Sequence, residues 1–367
     1  MSEENHLSRR GFIGAAGGVA AAGALGPLTG TAGAHGRHGH DDHDHGFGRG
    51  GDIPLSRIGL QLFTVRDLLA DNELDLAGTF EMLSDAGYAE VEIGGTYDST
   101  NNVPNTAAQF RALAEQYGLK PEGMHNPGGH AAWRANPEAV LNDAEALGLR
   151  YVGVASPAGG TPQTHAAYAA MAEEFNAFGA AARRRGLKFY FHNHPTDFAL
   201  DGGTPIYDTL LEESDPRLVY FEMDIAWFVA GGADPYRYLR EHGSSRFPLF
   251  HVKDLTFTAP PAPPANVTPD PRPPRTTPAN VNLPNRPYWL RDVGKGDIDF
   301  GTVFSALRDP RDHHYFVEHD DAPDDETAST PQGQPLSPRP RNPAGSANTA
   351  WTSRKYLANL KIPRRRR

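Results

Sequence analysis

Four polar runs carry the chemistry of this chain: His192-Asn193-His194, Met223-Asp224, His251-Val252-Lys253-Asp254 and Glu318-His319-Asp320. Each follows a short apolar stretch (KFYF, LVYFE, LF and HYFV). Imidazoles and carboxylates that close apolar strands are costly to bury unless they are paired or hold a metal. A matched set of two imidazoles and two carboxylates on successive runs is hard to explain by separate salt bridges. His192, Asp224, His251 and Glu318 are therefore the candidate ligands of one divalent metal. Two nitrogens and two oxygens suit Mn2+, Zn2+, Co2+ or Fe2+, with no sharper preference in the absence of thiolates. A buried ion-pair network is the competing reading. His194 lies two residues beyond His192, on the same strand face, and is the alternative ligand. Glu222 shares a face with Asp224 but sits deeper, where a packed, hydrogen-bonded carboxylate is expected. The chain has no cysteine, which excludes a thiol nucleophile, iron–sulfur clusters and cysteine-bound zinc.

The elements that must position these residues recur with a period. β-rich runs begin at Ile58, Ala89, Lys120, Tyr151, Lys188, Leu218, Leu249 and His314, at intervals of 31, 31, 31, 37, 30, 31 and 65 residues. Helical patterns such as TAAQFRALAEQYG and PEAVLNDAEALG lie between them. A strand, a helix and two loops need about 30 residues, and eight such units make a (β/α)8 barrel of about 250. The long last interval contains residues 258–289, a segment with eleven prolines that suits neither helix nor central strand. Gly87, Gly118, Gly148 and Gly186 each precede a strand, as helix-ending glycines do. Asn136-Pro137 and Asp234-Pro235 read as helix starts. An open doubly wound sheet would carry a glycine-rich phosphate loop, and no G-x-G-x-x-G occurs. Chemistry in a closed barrel sits at the C-terminal strand ends, where these runs place Gln61, Glu92, His125, Ser156, the His192 group, Asp224, His251 and Glu318. A helix over 351–362 is expected to close the barrel, which spans 57–363.

Outside the barrel the composition changes. The 367 residues include 39 glycines and 32 prolines, and only 38% are apolar, below the globular norm. The first 34 residues read as a twin-arginine signal peptide, with Arg9-Arg10 before Phe12-Ile13, a Gly/Ala-rich apolar segment and a small-x-small site at 32–34. Export to the periplasm or exterior through that machinery is the expectation. Residues 35–56 are a His/Gly-rich linker, read either as a solvated spacer or as a loose metal-capturing tract. Residues 322–350 read as a low-complexity loop and 364–367 as a basic tail. Net charge is −10, which disfavours nucleic-acid binding, and no long apolar run after the N-terminus suggests a membrane anchor.

The same strand ends carry a family resemblance. GLQLFTVRD (59–67), GYAEVEIGG (87–95), FYFHNH (189–194), MDIAWFVAGGADP (223–235), FHVKDL (250–255), GKGDIDF (294–300) and FVEHD (316–320) resemble the sugar phosphate isomerase/epimerase group of the xylose isomerase-like TIM barrel superfamily. The resemblance implies one metal held from strands five to eight, here by His192, Asp224, His251 and Glu318. It implies Lys253 on a substrate oxygen or phosphate and Trp227 as a pocket wall. One departure stands out: the epimerases place a glutamate base on strand five, where this chain has His192.

The resulting expectation is a metal-dependent sugar isomerase or epimerase working through an enediolate. Glu318 is the candidate base, His192 or His194 the complementary acid, and Glu92 and His125 would either hold substrate hydroxyls or serve in packing or ion pairs. Export favours an unphosphorylated carbohydrate as the partner. The alternatives are a dehydratase or a lyase or hydrolase of oxidised (3-keto) glycosides on the same site, and a non-catalytic carbohydrate-binding protein. An endonuclease would need more metal ligands and a basic face.

Overall fold

The period of about 31 residues builds eight parallel strands: β1 (Ile58–Gln61), β2 (Glu90–Gly94), β3 (Lys120–His125), β4 (Tyr151–Val154), β5 (Lys188–His192), β6 (Val219–Asp224), β7 (Leu249–Val252) and β8 (His314–Val317). They close in the order β1-β8-β7-β6-β5-β4-β3-β2, so the expected (β/α)8 barrel is the fold. This computed structural model describes residues 52–66, 68, 75–94, 106–160, 164–258, 275–276, 286–320 and 343–362. The signal peptide, most of the linker and the 322–350 loop, much of the proline-rich insertion and the basic tail lie outside the described residues.

Alternation along each strand separates two environments. On β5, Phe189 and Phe191 point outward into the helix layer, as do Val219, Phe221 and Met223 on β6 and Tyr315 and Val317 on β8. The inward set forms a separate aromatic plug of Tyr151, Tyr190, Leu249 and Phe316, with Tyr220 against it. Two glycines make that plug possible. A Cβ on Gly59 would lie 2.5 Å from Phe316, and one on Gly153 would overlap the Tyr190 carbonyl. The inward residues at the strand ends are the polar ones.

Helix boundaries follow local chemistry. Thr106, Asn136 and Asp234 each cap a helix by accepting backbone N–H bonds, satisfying donors that lack intrahelical partners. Gly87, Gly118, Gly148 and Gly186 have φ between 71° and 87°, the left-handed conformation that ends the preceding helix. The closing helix runs Pro343–Asn359. It begins eight residues before the amphipathic pattern does, with Pro343 at a first helical position, which proline suits; the Gly, Ser, Asn and Thr that follow gave no helical signal in the sequence. The proline-rich insertion has a regular base. Asp254–Thr256 pairs antiparallel with Pro287–Arg291, which also pairs with Arg275–Thr276, so a three-stranded sheet stands on the end of β7.

Candidate active site

Register sets the level of each polar side chain. His192 on β5 pairs with Glu222 on β6, Asp224 pairs with His251 on β7, and His251 pairs with Phe316 on β8. Glu318, two residues beyond Phe316, therefore stands level with Lys253. One donor atom each from His192, Asp224, His251 and Glu318 lies within 4.8 Å of all the others. The four ligands expected from sequence thus converge, and His192 rather than His194 belongs to the group. His194 stands beside it, with ring centroids 4.9 Å apart.

Local structure fixes the ligands. Asp224 ends β6 and caps the helix Ile225–Ala230, its Oδ1 accepting from Trp227 N–H at 2.9 Å. The middle residue of the His-Asn-His run brackets it: Asn193 Oδ1 accepts from Asp224 N–H at 3.0 Å, and Asn193 Nδ2 donates to Asp224 O at 3.4 Å. That role gave no signal in the sequence beyond the run itself. Asp197 accepts from His194 N–H at 2.6 Å and Tyr168 Oη–H at 2.5 Å, anchoring the chain just after β5.

Lys253 is buried among carboxylates. Its Nζ lies 2.9 Å from Asp224 Oδ2, 2.7 Å from Glu318 Oε2 and 3.2 Å from Asp320 Oδ2, and 4.2 Å over the Trp227 ring. Asp254, its sequence neighbour, faces away and accepts from the backbone N–H groups of Leu255, Gly294, Gly296 and Ile298. Trp227 packs against Tyr288 and Leu255 at the base of the insertion and presents its ring to Lys253. Asp320, not singled out from sequence, completes the lysine's surroundings.

Beneath this level lies a second polar layer. His125 Nε2 is 2.7 Å from Glu222 Oε2, and His251 Nε2 is 2.5 Å from Glu92 Oε2. Glu92 also accepts from Gln61 Nε2 at 2.7 Å and Tyr190 Oη–H at 2.5 Å. The expectation that Glu92 holds a substrate hydroxyl is corrected: it is fully buried and both its oxygens are engaged inside the barrel. His125 keeps 12% of its side chain exposed and remains at the floor of the mouth. Glu222 is the deep, hydrogen-bonded carboxylate expected.

The protonation pattern follows from burial and charge. Burial, then the neighbouring His251 and His125, pushes His192 well below the ordinary imidazole value. Burial and Lys253 push His194 down to about 4. Both rings are neutral near pH 7, each with one N–H donor and one acceptor nitrogen. Burial opposes charge on His251 too, but Glu222, Glu318 and Glu92 outweigh it and raise that imidazole well above its ordinary value. Burial would raise Glu318, yet Lys253 and His251 hold it well below the usual carboxylate range. Burial lifts Asp224 to about 6 against the pull of Lys253, and burial with Glu92 lifts Glu222 to about 7.

These residues fit a divalent cation. Asp224, Glu318 and Asp320 surround the Lys253 ammonium, and Glu92 and Glu222 lie against His251, a concentration of carboxylates that a cation would help to balance. His192 Nδ1, fully buried, has no hydrogen-bond partner, and a neutral imidazole nitrogen is a metal donor. An overlapping group of His125, His192, Glu222 and His251 lies just below. A third donor group, Glu90, Glu122 and His314, occupies the opposite end of the barrel. There Arg57 donates to His314 Nε2 at 2.8 Å and Lys120 pairs with Glu122, so its charges are already balanced.

The comparisons with known proteins agree with this fold. The family model described as xylose isomerase-like TIM barrel matches residues 80–336. The chain belongs to that family. Among curated relatives, an inosose dehydratase of Clostridium tetani is 27% identical over 145 residues, 37% of this chain and 41% of that protein. The chain thus spans less than half the length of that relative. Among solved structures, a sugar phosphate isomerase/epimerase from Parabacteroides distasonis superposes with a TM-score of 0.57 at 18% identity, over 88% of this chain and 98% of its own. The IolI protein, solved with a zinc atom, gives 0.53 at 15% identity, over 83% and 99%. At these identities the structural likenesses establish the fold. Among the described residues, no helix is long and apolar enough to cross a membrane.

Proposed function

We propose that the protein is a metal-dependent isomerase or epimerase of an unphosphorylated carbohydrate or keto-polyol. The observation that carries this reading is the convergence of His192, Asp224, His251 and Glu318 at the C-terminal mouth of the barrel, where barrel enzymes do their chemistry. The names of the family relatives, including a sugar phosphate isomerase/epimerase and a zinc-bearing IolI protein, support it.

A bound divalent cation supplies Lewis-acid stabilisation of the negative charge that develops when a carbon next to a carbonyl loses its proton. The chain's own residues do the rest. Glu318 is kept ionised by Lys253 and His251, the state a general base needs. Its Oε2 faces Lys253 Nζ and His251 Nδ1, which leaves Oε1 for the substrate proton. Lys253, a fixed cation on Trp227, is placed to bind a substrate oxygen. His192 and His194, neutral, serve as ligand and hydrogen-bond acceptor, and His125 lines the floor.

A second reading has an observation of its own. The relative named an inosose dehydratase and the replacement of a strand-five glutamate by His192 both favour elimination: dehydration, or loss of an aglycone from an oxidised glycoside. We further propose export by the twin-arginine route, on the strength of residues 8–13 and the small residues at 32–34.

The test is solvent deuterium exchange. Purified protein loaded with Mn2+, Zn2+, Co2+ or Fe2+ is incubated with neutral ketoses and keto-polyols in D2O. Label at the carbon beside the carbonyl, lost in Asp224→Asn and Glu318→Gln, supports isomerase chemistry; release of water or an aglycone supports elimination. Wild-type protein without stoichiometric metal and without exchange would leave a carbohydrate-binding role.

A further inference from the structure

His251 faces two groups with its two nitrogens. Nδ1 lies 2.7 Å from Glu318 Oε2 and 3.9 Å from Asp224 Oδ2, toward the ligand group. Nε2 lies 2.5 Å from Glu92 Oε2 and, at a longer 3.2 Å, from Glu222 Oε2, toward the interior. Glu92 reaches it from β2, on the far side of the barrel lumen, and is itself held on both oxygens by Gln61 and Tyr190.

The geometry assigns Glu92 as the positioning residue of this site: it accepts the hydrogen bond of His251 Nε2–H, so that Nδ1 is the nitrogen offered to the cation. The inference rests on the metal-site reading above and deepens it. An imidazole that ligates through one nitrogen carries its proton on the other, and a carboxylate accepting that proton fixes tautomer and ring orientation and makes the ligand more basic.

Two glycines show that the barrel is built around this arm. A Cβ on Gly94 would overlap Gln61 Oε1, and one on Gly123 would come within 3.0 Å of Glu92 Oε1. Any larger residue at either position would push the supporting side chains out of line. Glu92 is fully buried and its neighbours satisfy it, so it has no route to substrate. Its closest ring contact is His251, at 2.5 Å, with His125 Nε2 further off at 3.7 Å, so its influence on the chemistry passes chiefly through His251.

The test uses full-length protein and zinc. In Zn2+-loaded wild type carrying 15N-labelled histidine, long-range 1H–15N correlation is expected to show His251 protonated on Nε2 and metal-shifted at Nδ1. Glu92→Gln, which keeps shape and loses charge, is expected to weaken Zn2+ binding 10- to 100-fold by chelator competition, measured at a temperature where circular dichroism shows the metal-free variant folded. Tyr190→Phe, which removes one bond to Glu92, is expected to weaken it less. A metal-shifted Nε2, wild-type affinity in Glu92→Gln, or complete loss of zinc showing Glu92 to be a ligand itself would each overturn the assignment. Asp224→Asn is the separate control. If it binds zinc as wild type does, the metal-site reading fails; if it loses zinc while Glu92→Gln does not, only the role of Glu92 fails.

Discussion

Replacing Lys253 by methionine removes the one ammonium set among three carboxylates while keeping the length and apolar stem of the side chain. The Nζ is 1% exposed and lies 2.7–3.2 Å from Glu318, Asp224 and Asp320. Removing one partner of a buried ion pair costs about 3–5 kcal/mol, because the remaining charge is stranded away from water. For a chain of this size about 1 kcal/mol moves the melting temperature by roughly 2 °C, so metal-free Lys253→Met should melt about 6–10 °C below wild type. A divalent cation among the same carboxylates should then restore most of the loss, and should bind more tightly than to wild type because a neighbouring positive charge is gone. Differential scanning calorimetry with and without Mn2+ or Zn2+, alongside Lys253→Arg, measures this. A metal-free Lys253→Met that melts within 2 °C of wild type, or one whose deficit no divalent ion repairs, would refute the reasoning.

Three further outcomes follow from the same packing. Burial lifts Asp197 to about 7 from an ordinary value near 3.8, so its ionised form is the costly one and it subtracts stability as pH rises from 4 to 7; urea midpoints should show Asp197→Asn gaining about 3 kcal/mol relative to wild type between pH 5 and pH 8. Asp254→Ala frees the N–H groups of Leu255, Gly294, Gly296 and Ile298, which at about 1 kcal/mol each should cost roughly 3–4 kcal/mol and raise hydrogen exchange over 294–298. Gly94→Ala forces Gln61 aside and should destabilise by about 1–3 kcal/mol, as overpacking does, measured by chemical denaturation.

Much of the barrel is legible from spacing because each unit must span one strand, one helix and two loops, and no shorter repeat does so. All eight strands begin within a residue of the positions read from the sequence. The inward-facing ligands are legible because strand alternation separates Phe189 and Phe191 from Tyr190 and His192. Depth is not legible in the same way. Glu92 pairs in register with Gln61, and His125 with Gly94, two residues further along β2; that stagger, a property of the closed sheet, puts Glu92 beneath the mouth and His125 at it. The protonation of His192 and His194 likewise depends on burial and on Lys253, neither visible in a linear string. The opposed directions of Lys253 and Asp254 were within reach of alternation alone, since consecutive strand residues point to opposite faces.

The antiparallel pairing of Asp254–Thr256 with Pro287–Arg291 works as a stem. Its two legs are held side by side by their own pairing, so the register of the eight-stranded cylinder does not depend on the length of what lies between. Closing a longer loop on such a stem costs little, about 0.6 kcal/mol per doubling. The junction therefore offers a grafting point directly above the mouth, where a foreign carbohydrate-binding module could be spliced in and the ligand geometry below left as it is.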